Sequence, residues 1–230
     1  MWTWPAPPRW RGNWAGRPSR WMSGGWRPMN PSRRRWRRRS ARPGSSSPAP
    51  ACCNALRPEA LDEAEVERVI RVDQIGTWNS SAAFGRRMAL RGRGSIVTIA
   101  SIAGIRSMPL HAYSPAKAAV IEMTRCLAAE WGRSGVRVNA VSPGYTRTQG
   151  LQAEIDRGER DVSRLEETSA LGRMVLPEDI AEAVCFLASD AAGAITGINL
   201  PVDAGWLVAG SWSSYGGLPA ARGNAERGGA

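Results

Sequence analysis

A tyrosine and a lysine four positions apart are the residues of this chain best suited to proton transfer. The 31 basic residues include a single lysine, Lys117, and Tyr113 precedes it by four positions. Residues i and i+4 of a helix share one face, with about 5 to 6 Å between their Cβ atoms. A helix through this segment would therefore place a phenol beside an ammonium.

An ammonium beside a phenol lowers the pKa of the phenol. At about 4 Å and an effective dielectric constant of about 20, the ammonium favours the phenolate by about 4 kcal/mol, which lowers the pKa of the phenol by roughly three units. Tyr113 could then act as an acid and a base near neutral pH. Lysine suits this role better than arginine because its charge is compact and it keeps donors for a ligand. On spacing alone, the alternative is that Tyr113 and Lys117 are a surface pair with no catalytic role.

The flanking segments predict a strand, a helix and a second strand. A β-branched run from Ser95 to Ala100 is typical of a buried parallel strand. Ser101 follows it, at the end where open α/β sheets bind their ligands. Apolar residues at helical spacing predict a helix over 116–131, and a second β-branched run predicts a strand over 136–141. Ser142-Pro143-Gly144 is then expected to form a turn.

Together these residues resemble the short-chain dehydrogenase/reductase family. The motifs are Ser101, Tyr113-Ser-Pro-Ala-Lys117 and the segment 137–144. Residues 72–77, 177–190 and 196–205 are similar to the central helix, the penultimate helix and the last strand of that family. The resemblance covers about residues 58–210. It implies an α/β fold class, the C-terminal part of a Rossmann-type doubly wound parallel sheet.

The resemblance also implies the roles of the residues that handle the proton. Tyr113 would be the general acid and base, and Ser101 would hold the substrate oxygen. Lys117 would lower the pKa of the tyrosine and hydrogen-bond to the nicotinamide ribose. Asp73 stands where the family usually has an asparagine that holds a water in the proton relay. A carboxylate there could hold the water, but its charge opposes phenolate formation.

The implied cofactor is NAD or NADP, which supplies the hydride chemistry. By resemblance, Pro143 and Gly144 would pack beside the nicotinamide. The Thr146 backbone and the Thr148 side chain would contact its carboxamide. The implied substrate is a small alcohol or carbonyl compound. Members of the family usually form homodimers or homotetramers, so the resemblance implies such an oligomer, packed through the two helices that flank Ser101.

The first 50 residues lack the large aliphatic side chains from which a hydrophobic core is built. They contain 12 Arg, 9 Pro and 7 Trp, and no Leu, Ile, Val, Phe, Asp, Glu or Lys. We expect residues 1–57 to be a disordered, basic, low-complexity segment, followed by the dehydrogenase-like domain over 58–210 and a flexible tail over 211–230. The formal net charge of +11 arises in the first segment, because residues 51–230 carry 19 basic and 20 acidic side chains.

Three explanations of residues 1–57 stay open. Arg, Pro, Gly, Ala, Ser and Trp are what a GC-rich gene yields when it is read out of frame. Alternatively, the segment is a basic tail that binds nucleic acid or anionic lipid, since Arg supplies charge and Trp a stacking surface. A transit peptide is the third explanation, but an amphipathic stripe is missing.

A dinucleotide-binding domain normally opens with a strand, a glycine-rich turn and a helix that hold the pyrophosphate. The nearest candidate here, Gly92-Arg93-Gly94, leads into a strand instead and is expected to be a loop. By analogy with the family, strands one to four are missing. We therefore expect strand 95–100 to become a sheet edge, nucleotide affinity to be weak and oxidoreductase activity to be impaired. The alternatives are a catalytically silent family fragment that acts through oligomerisation, and a basic-tailed nucleic-acid or membrane-surface binder.

Other classes of protein find little support in the sequence. The four cysteines have no CxxC spacing, and the single histidine, His111, argues against a multi-histidine metal site. No nucleophile elbow, no apolar run of membrane-spanning length and no signal peptide are visible, so a cytoplasmic location is the default. The polar segment 149–176 predicts a helix over 151–164, in the region that forms the substrate lid in the family.

Overall fold

The computed structural model describes residues 57–159 and 161–220, and the expectations for residues 1–56 and 221–230 fall outside this part of the chain. Three parallel strands form one sheet in the order β1-β2-β3: β1 Gly94–Ile99, β2 Val136–Pro143 and β3 Asn199–Val202. The α-helices are α1 Glu63–Val69, α2 Gly76–Leu90, α3 Tyr113–Trp131, α4 Gln149–Asp156, α5 Ser163–Glu167, α6 Pro177–Ala188 and α7 Trp206–Ala209. The predicted order of strand, helix and parallel strand is confirmed.

Helices cover both faces of the sheet. On one face α3 packs against the strands, and the hydroxyls of Thr98 and Thr124 meet at 2.8 Å inside this layer. On the other face Leu187 of α6 is fully buried against Val141 and the neighbouring aliphatic side chains of β1 and β3. Strands that are apolar on both faces are typical of parallel sheets, which explains the near-continuous β-branched runs.

Two glycines set the entrances of the first two strands. Gly92, two residues before β1, and Gly135, directly before β2, both adopt positive φ angles, of 70° and 72°. A Cβ at Gly135 would collide with the backbone oxygen of Gly92. The two turns therefore touch, and this contact aligns the amino ends of the two strands. The Gly92-Arg93-Gly94 motif is a turn into β1, as expected.

The segment between α1 and α2 departs from regular α-helical geometry. Ile70–Ile75 forms a π-helix, so the chain contains one wide turn before α2 begins at Gly76. π-Helical turns change which side chains face a neighbouring element and are frequent at functional sites. Here the wide turn contains Asp73, one of the predicted site residues.

The signature segment of β2 has a structural role. The Arg137 guanidinium donates to the carbonyls of Leu187 and Ser189 at 2.7 and 2.9 Å, at the C-terminal end of α6. The fully buried Asn139 donates to the Ile195 carbonyl and accepts from the Ile198 N–H. Both side chains thus attach the loop after α6 to the sheet, which fixes where β3 begins.

The predicted helix over 151–164 is wrong in its bounds. The chain forms the shorter helices α4 and α5 instead, and the turn between them contains Gly158 at a φ of 71°. A left-handed residue cannot continue an α-helix, so the helix ends there. The predicted last strand is also shorter, because Asp203 to Gly205 form a turn after β3.

Candidate active site

The proton-transfer pair lies at the N-terminal end of α3. Tyr113 is the first residue of this helix, and Lys117 follows one turn later on the same face. The Lys117 ammonium lies 5.4 Å from the centre of the Tyr113 ring. Packing of α3 against the sheet buries the lysine, whose side chain is only 10% exposed. The structure therefore brings the two side chains together as the spacing predicts.

Two further groups hold the Lys117 ammonium. It donates to the backbone carbonyl of Ile99, the last residue of β1, at 3.1 Å. It also forms an ion pair with Asp73, with 3.0 Å between Nζ and Oδ1. The Asp73 side chain is 13% exposed, so both charges lie largely away from solvent. Buried ions need a partner, because an unpaired buried charge is strongly destabilising.

The carboxylate of Asp73 is only partly satisfied. Its Oδ2 is buried and has no hydrogen-bond partner in the described part of the chain. The Asp73 backbone carbonyl accepts a hydrogen bond from the Thr77 hydroxyl at 2.6 Å. The π-helical turn therefore aims this side chain at Lys117 while the backbone is held by the next turn.

Ser101 stands at the carboxyl end of β1, as predicted. Its backbone is extended, and its Oγ accepts a hydrogen bond from the N–H of Ala103 at 3.1 Å. This bond uses a lone pair of the hydroxyl and leaves its proton free to be donated to a ligand. Ser101 and Tyr113 line the same cavity of about 380 Å³.

Most walls of this cavity are apolar. Besides Ser101 and Tyr113 it is lined by Ile102, Ala103, Met108, Pro109, Leu110, Gly144, Tyr145, Thr146, Leu151, Leu165 and Met174. Small-molecule sites commonly combine apolar walls with a few converging polar groups in such a volume. Leu151, Leu165 and Met174 come from the region predicted to form the lid.

Tyr145 is a cavity residue that the sequence analysis missed. Its ring packs edge-on against Trp206 with 5.3 Å between centroids, and the Arg106 guanidinium lies 5.4 Å from the same tryptophan ring. Its position after Pro143-Gly144, at the carboxyl end of β2, was a usable signal. Parallel strands end on a common edge of the sheet, so residues that follow them gather around one site.

The residues predicted to contact the nicotinamide follow β2. Pro143 is its last residue, and a Cβ on Gly144 would meet the Asp203 Cα at 2.7 Å, so this position requires glycine. The Thr146 hydroxyl donates to the Gly144 carbonyl at 3.0 Å, and the Thr148 side chain caps α4 by accepting from the Leu151 N–H at 3.3 Å. Gly144 and Thr146 line the cavity, whereas Pro143 and Thr148 are absent from its lining.

This end of the molecule fits a nicotinamide ring, since the cavity beside Tyr113 is open and is bordered by the turn at Gly144. The other end of a dinucleotide needs donors for two phosphates. Within residues 57–159 and 161–220, no strand enters a helix through a G-x-G-x-x-G turn. The residues named above would therefore serve only the nicotinamide half of such a ligand.

Comparison with known proteins identifies the class of protein. A family model described as enoyl-(acyl carrier protein) reductase matches residues 51–207. The chain belongs to the short-chain dehydrogenase/reductase family, a family of NAD(P)-dependent enzymes, as its motifs predicted.

Three relatives illustrate the match. Galactitol 2-dehydrogenase from Rhizobium johnstonii is 44% identical over 149 residues, which are 64% of this chain and 58% of that protein. A structure named ribose-5-phosphate isomerase from Brucella melitensis is 56% identical with a TM-score of 0.68, covering 72% of this chain and 64% of the other. Gluconate 5-dehydrogenase from Burkholderia cenocepacia, solved with NADP and tartrate, is 30% identical with a TM-score of 0.60, covering 65% and 59%.

The chain thus spans less than two thirds of the length of the curated relatives that it matches. The likeness confirms the predicted α/β fold with a parallel sheet. In the described residues, no helix is both long and apolar enough to cross a membrane.

Proposed function

We propose that the chain is an oxidoreductase that interconverts a secondary alcohol and a carbonyl compound, with Tyr113 as the proton donor and acceptor. The observation that carries this proposal is the convergence of Tyr113, Lys117 and Ser101 at the carboxyl end of β1, beside an open cavity of about 380 Å³. A bound nicotinamide nucleotide would supply or accept the hydride.

In this proposal each side chain acts on one atom. The Ser101 hydroxyl donates a hydrogen bond to the substrate oxygen and orients it toward Tyr113. In carbonyl reduction the Tyr113 hydroxyl protonates that oxygen, and in alcohol oxidation the phenolate removes its proton. Lys117 stabilises the phenolate by its positive charge.

Asp73 is proposed to position Lys117 and to moderate its charge. The ion pair at 3.0 Å, together with the bond to the Ile99 carbonyl, fixes the ammonium beneath the tyrosine ring. The same carboxylate offsets part of the positive potential at Tyr113, because the two charges of the pair oppose each other at the ring. An uncharged partner would leave a larger potential at the phenol.

The cavity walls favour a substrate with an apolar body. Galactitol and gluconate, named for the relatives, carry several hydroxyls, whereas the polar groups here are confined to Ser101, Tyr113, Tyr145 and Thr146. A buried hydroxyl without a partner is costly. We propose a compound with one reactive hydroxyl or carbonyl on an aliphatic or cyclic body.

The test is an assay of alcohol oxidation and ketone reduction with NAD and NADP, followed by nicotinamide absorbance, with cyclohexanol and galactitol as probes. Tyr113→Phe is expected to reduce kcat by roughly a hundredfold to ten-thousandfold. Tyr145→Phe is the matched control, because it removes a hydroxyl from the same cavity but not the one beside Lys117. Equal loss in both variants, or turnover unaffected by Tyr113→Phe, would contradict the proposal.

The relative named as an isomerase provides a second candidate function. A phenol and an ammonium could also move a proton between neighbouring carbons of a sugar phosphate, without a nicotinamide. Conversion of ribose 5-phosphate in the absence of any nucleotide would favour this candidate. Turnover that requires NAD or NADP would favour the oxidoreductase.

A further inference from the structure

Arg106 lies in the loop between Ser101 and α3, and its side chain reaches a distant part of the chain. The guanidinium carbon lies 5.4 Å from the centre of the Trp206 ring, in α7. A Cβ on Gly210, the residue directly after α7, would collide with the same guanidinium. Arg106 is therefore packed between the two ends of α7, with its charge over an aromatic face.

The Trp206 ring connects Arg106 to the wall of the cavity. Trp206 contacts the Tyr145 ring with 5.3 Å between centroids and 73° between the ring planes, the edge-to-face arrangement that aromatic pairs prefer. Tyr145 lines the cavity together with Ser101 and Tyr113, whereas Arg106 and Trp206 are absent from the lining. Arg106 thus acts on the cavity through two stacked rings and not by direct contact.

The rings are held in place by the turn that precedes α7. The Asp203 carboxylate accepts hydrogen bonds from the N–H groups of Gly205 and Leu207, at 2.9 and 2.8 Å. Asp203 also lies directly against Gly144, where a Cβ would meet its Cα at 2.7 Å. Trp206 is therefore fixed to the ends of β2 and β3, and it gives Arg106 a firm point of attachment.

The loop that carries Arg106 has mainly local hydrogen bonds. In the part of the chain that the structure describes, the hydrogen bonds of residues 105–111 join residues no more than four positions apart, such as Arg106 to Ile102 and Ser114 to Leu110. The same loop supplies Met108, Pro109 and Leu110 to the cavity wall. Contact between Arg106 and Trp206 therefore joins this part of the wall to the part that contains Tyr145.

We propose that Arg106 is a positioning residue that sets substrate specificity, by fixing the loop 105–111 relative to Tyr145. The inference rests on the proposed function, since it takes the cavity as the substrate site. A cavity with a fixed wall favours a rigid ligand, because a flexible chain loses more conformational freedom on binding. The substrate class is then a cyclic secondary alcohol or ketone in preference to an open-chain compound.

The test compares the binding of cyclohexanol and 2-hexanol, two secondary alcohols with the same number of carbons, to the full-length chain. Carbon-13 labelling of the tyrosines, assigned with Tyr145→Phe, provides a Tyr145 signal that reports binding without turnover. We expect wild type to bind cyclohexanol more tightly than 2-hexanol. Arg106→Met keeps a long side chain but removes the cation, and should reduce this preference roughly two- to fivefold, the range expected for an exposed cation–π contact.

Two further variants are controls for charge and for a general loss of structure. Arg106→Lys keeps a cation over the ring and should retain most of the preference. Arg133→Met removes an exposed arginine from the turn before β2, at the opposite end of that strand from Tyr145, and should leave the preference unchanged. Where turnover is measurable, Arg106→Met should alter KM and not kcat, because Ser101, Tyr113 and Lys117 are intact.

The outcomes separate this inference from the proposed function. Wild type that shows no preference for the ring, or no Tyr145 response to either alcohol, would overturn the role of Arg106. So would a preference that survives Arg106→Met, or one that Arg133→Met reduces equally. A preference that depends on Arg106 in a chain without turnover would support the role of Arg106 and count against the proposed function alone.

Discussion

The ammonium of Lys117 connects three parts of the chain that are distant in sequence. It contacts Asp73 in the π-helical turn, the carbonyl of Ile99 at the end of β1, and the ring of Tyr113 on its own helix. A side chain with three donors and a compact charge can make these contacts together, whereas a planar guanidinium could not. Lys117 therefore joins these three segments and also supplies the positive charge beside Tyr113.

Replacing Asp73 by asparagine tests the electrostatic part of this arrangement. Asparagine keeps the shape and a hydrogen-bond acceptor but removes the negative charge, so the full ammonium potential acts on Tyr113. The acid limb of the pH profile for alcohol oxidation should move to lower pH. The sign follows because oxidation needs the phenolate, which would form at lower pH.

A control and a second readout accompany this prediction. Glu122→Gln removes a carboxylate from an exposed pair with Arg125 and should leave the profile unchanged. If turnover is slow, carbon-13 labelling of the three tyrosines allows the titration of Tyr113 to be followed directly, with Tyr113→Phe as the assignment. A profile that moves to higher pH, or does not move, would contradict the proposed role of Asp73.

Helix α2 depends on close contact with α3. A Cβ on the buried Gly85 would collide with the ring of Trp131, at the end of α3. Gly85→Ala should therefore lower the free energy of unfolding by about 1 to 3 kcal/mol, because the rigid ring must move. Gly76→Ala is the matched control, since a Cβ there would have ordinary contacts and alanine is favoured in helices by up to about 1 kcal/mol.

Thermal unfolding of the two variants measures this difference. We expect opposite shifts in Tm, downward for Gly85→Ala and upward or unchanged for Gly76→Ala. Equal shifts in Tm would show that the close contact between α2 and Trp131 does not determine the stability of the fold.

The N-terminal end of α6 predicts a pH dependence of stability. A hydrogen bond from Arg173 and one from the Leu176 N–H lower the pKa of Asp179. A carboxyl with a lowered pKa stabilises the fold when the pH is above the unfolded-state value of about 3.9. This contribution is lost as the pH falls through the pKa of the folded state.

The matching variant is Asp179→Asn. At neutral pH it should destabilise the chain by up to about 1 kcal/mol, the scale of an exposed helix cap. Denaturant unfolding at neutral pH and below pH 4 measures the effect, and the difference between wild type and variant should shrink in acid. An unchanged difference would assign the effect to packing and not to the charge.

At the scale of the whole molecule, weak affinity for nicotinamide nucleotides stays a prediction. Calorimetric or fluorescence titration of the full-length chain with NADH and NADPH is the direct measurement, and galactitol 2-dehydrogenase is a suitable full-length reference. We expect no saturation in the micromolar range. Micromolar binding would refute the prediction and would strengthen the proposed oxidoreductase function.

The oligomer is the second whole-molecule property. The resemblance to the family predicts packing through the helices that flank Ser101, and Trp78 is 46% exposed on the first of these helices, α2. Sedimentation of the full-length chain and of its Trp78→Arg variant tests this interface. We expect the variant to form a smaller oligomer, and an unchanged oligomer would contradict packing through α2.

The sequence by itself determined the family, the parallel strands β1 and β2, helix α3 and the positions of Ser101, Tyr113 and Lys117. These features depend on local periodicity and on spacings within one or two elements, which a sequence carries directly. Only the tertiary structure decided that Asp73 pairs with Lys117, that Tyr145 enters the cavity, and that Arg137 and Asn139 hold the loop before β3. Each of these depends on contacts between residues far apart in the chain, and the π-helical turn that aims Asp73 has no periodic signal that the sequence could reveal.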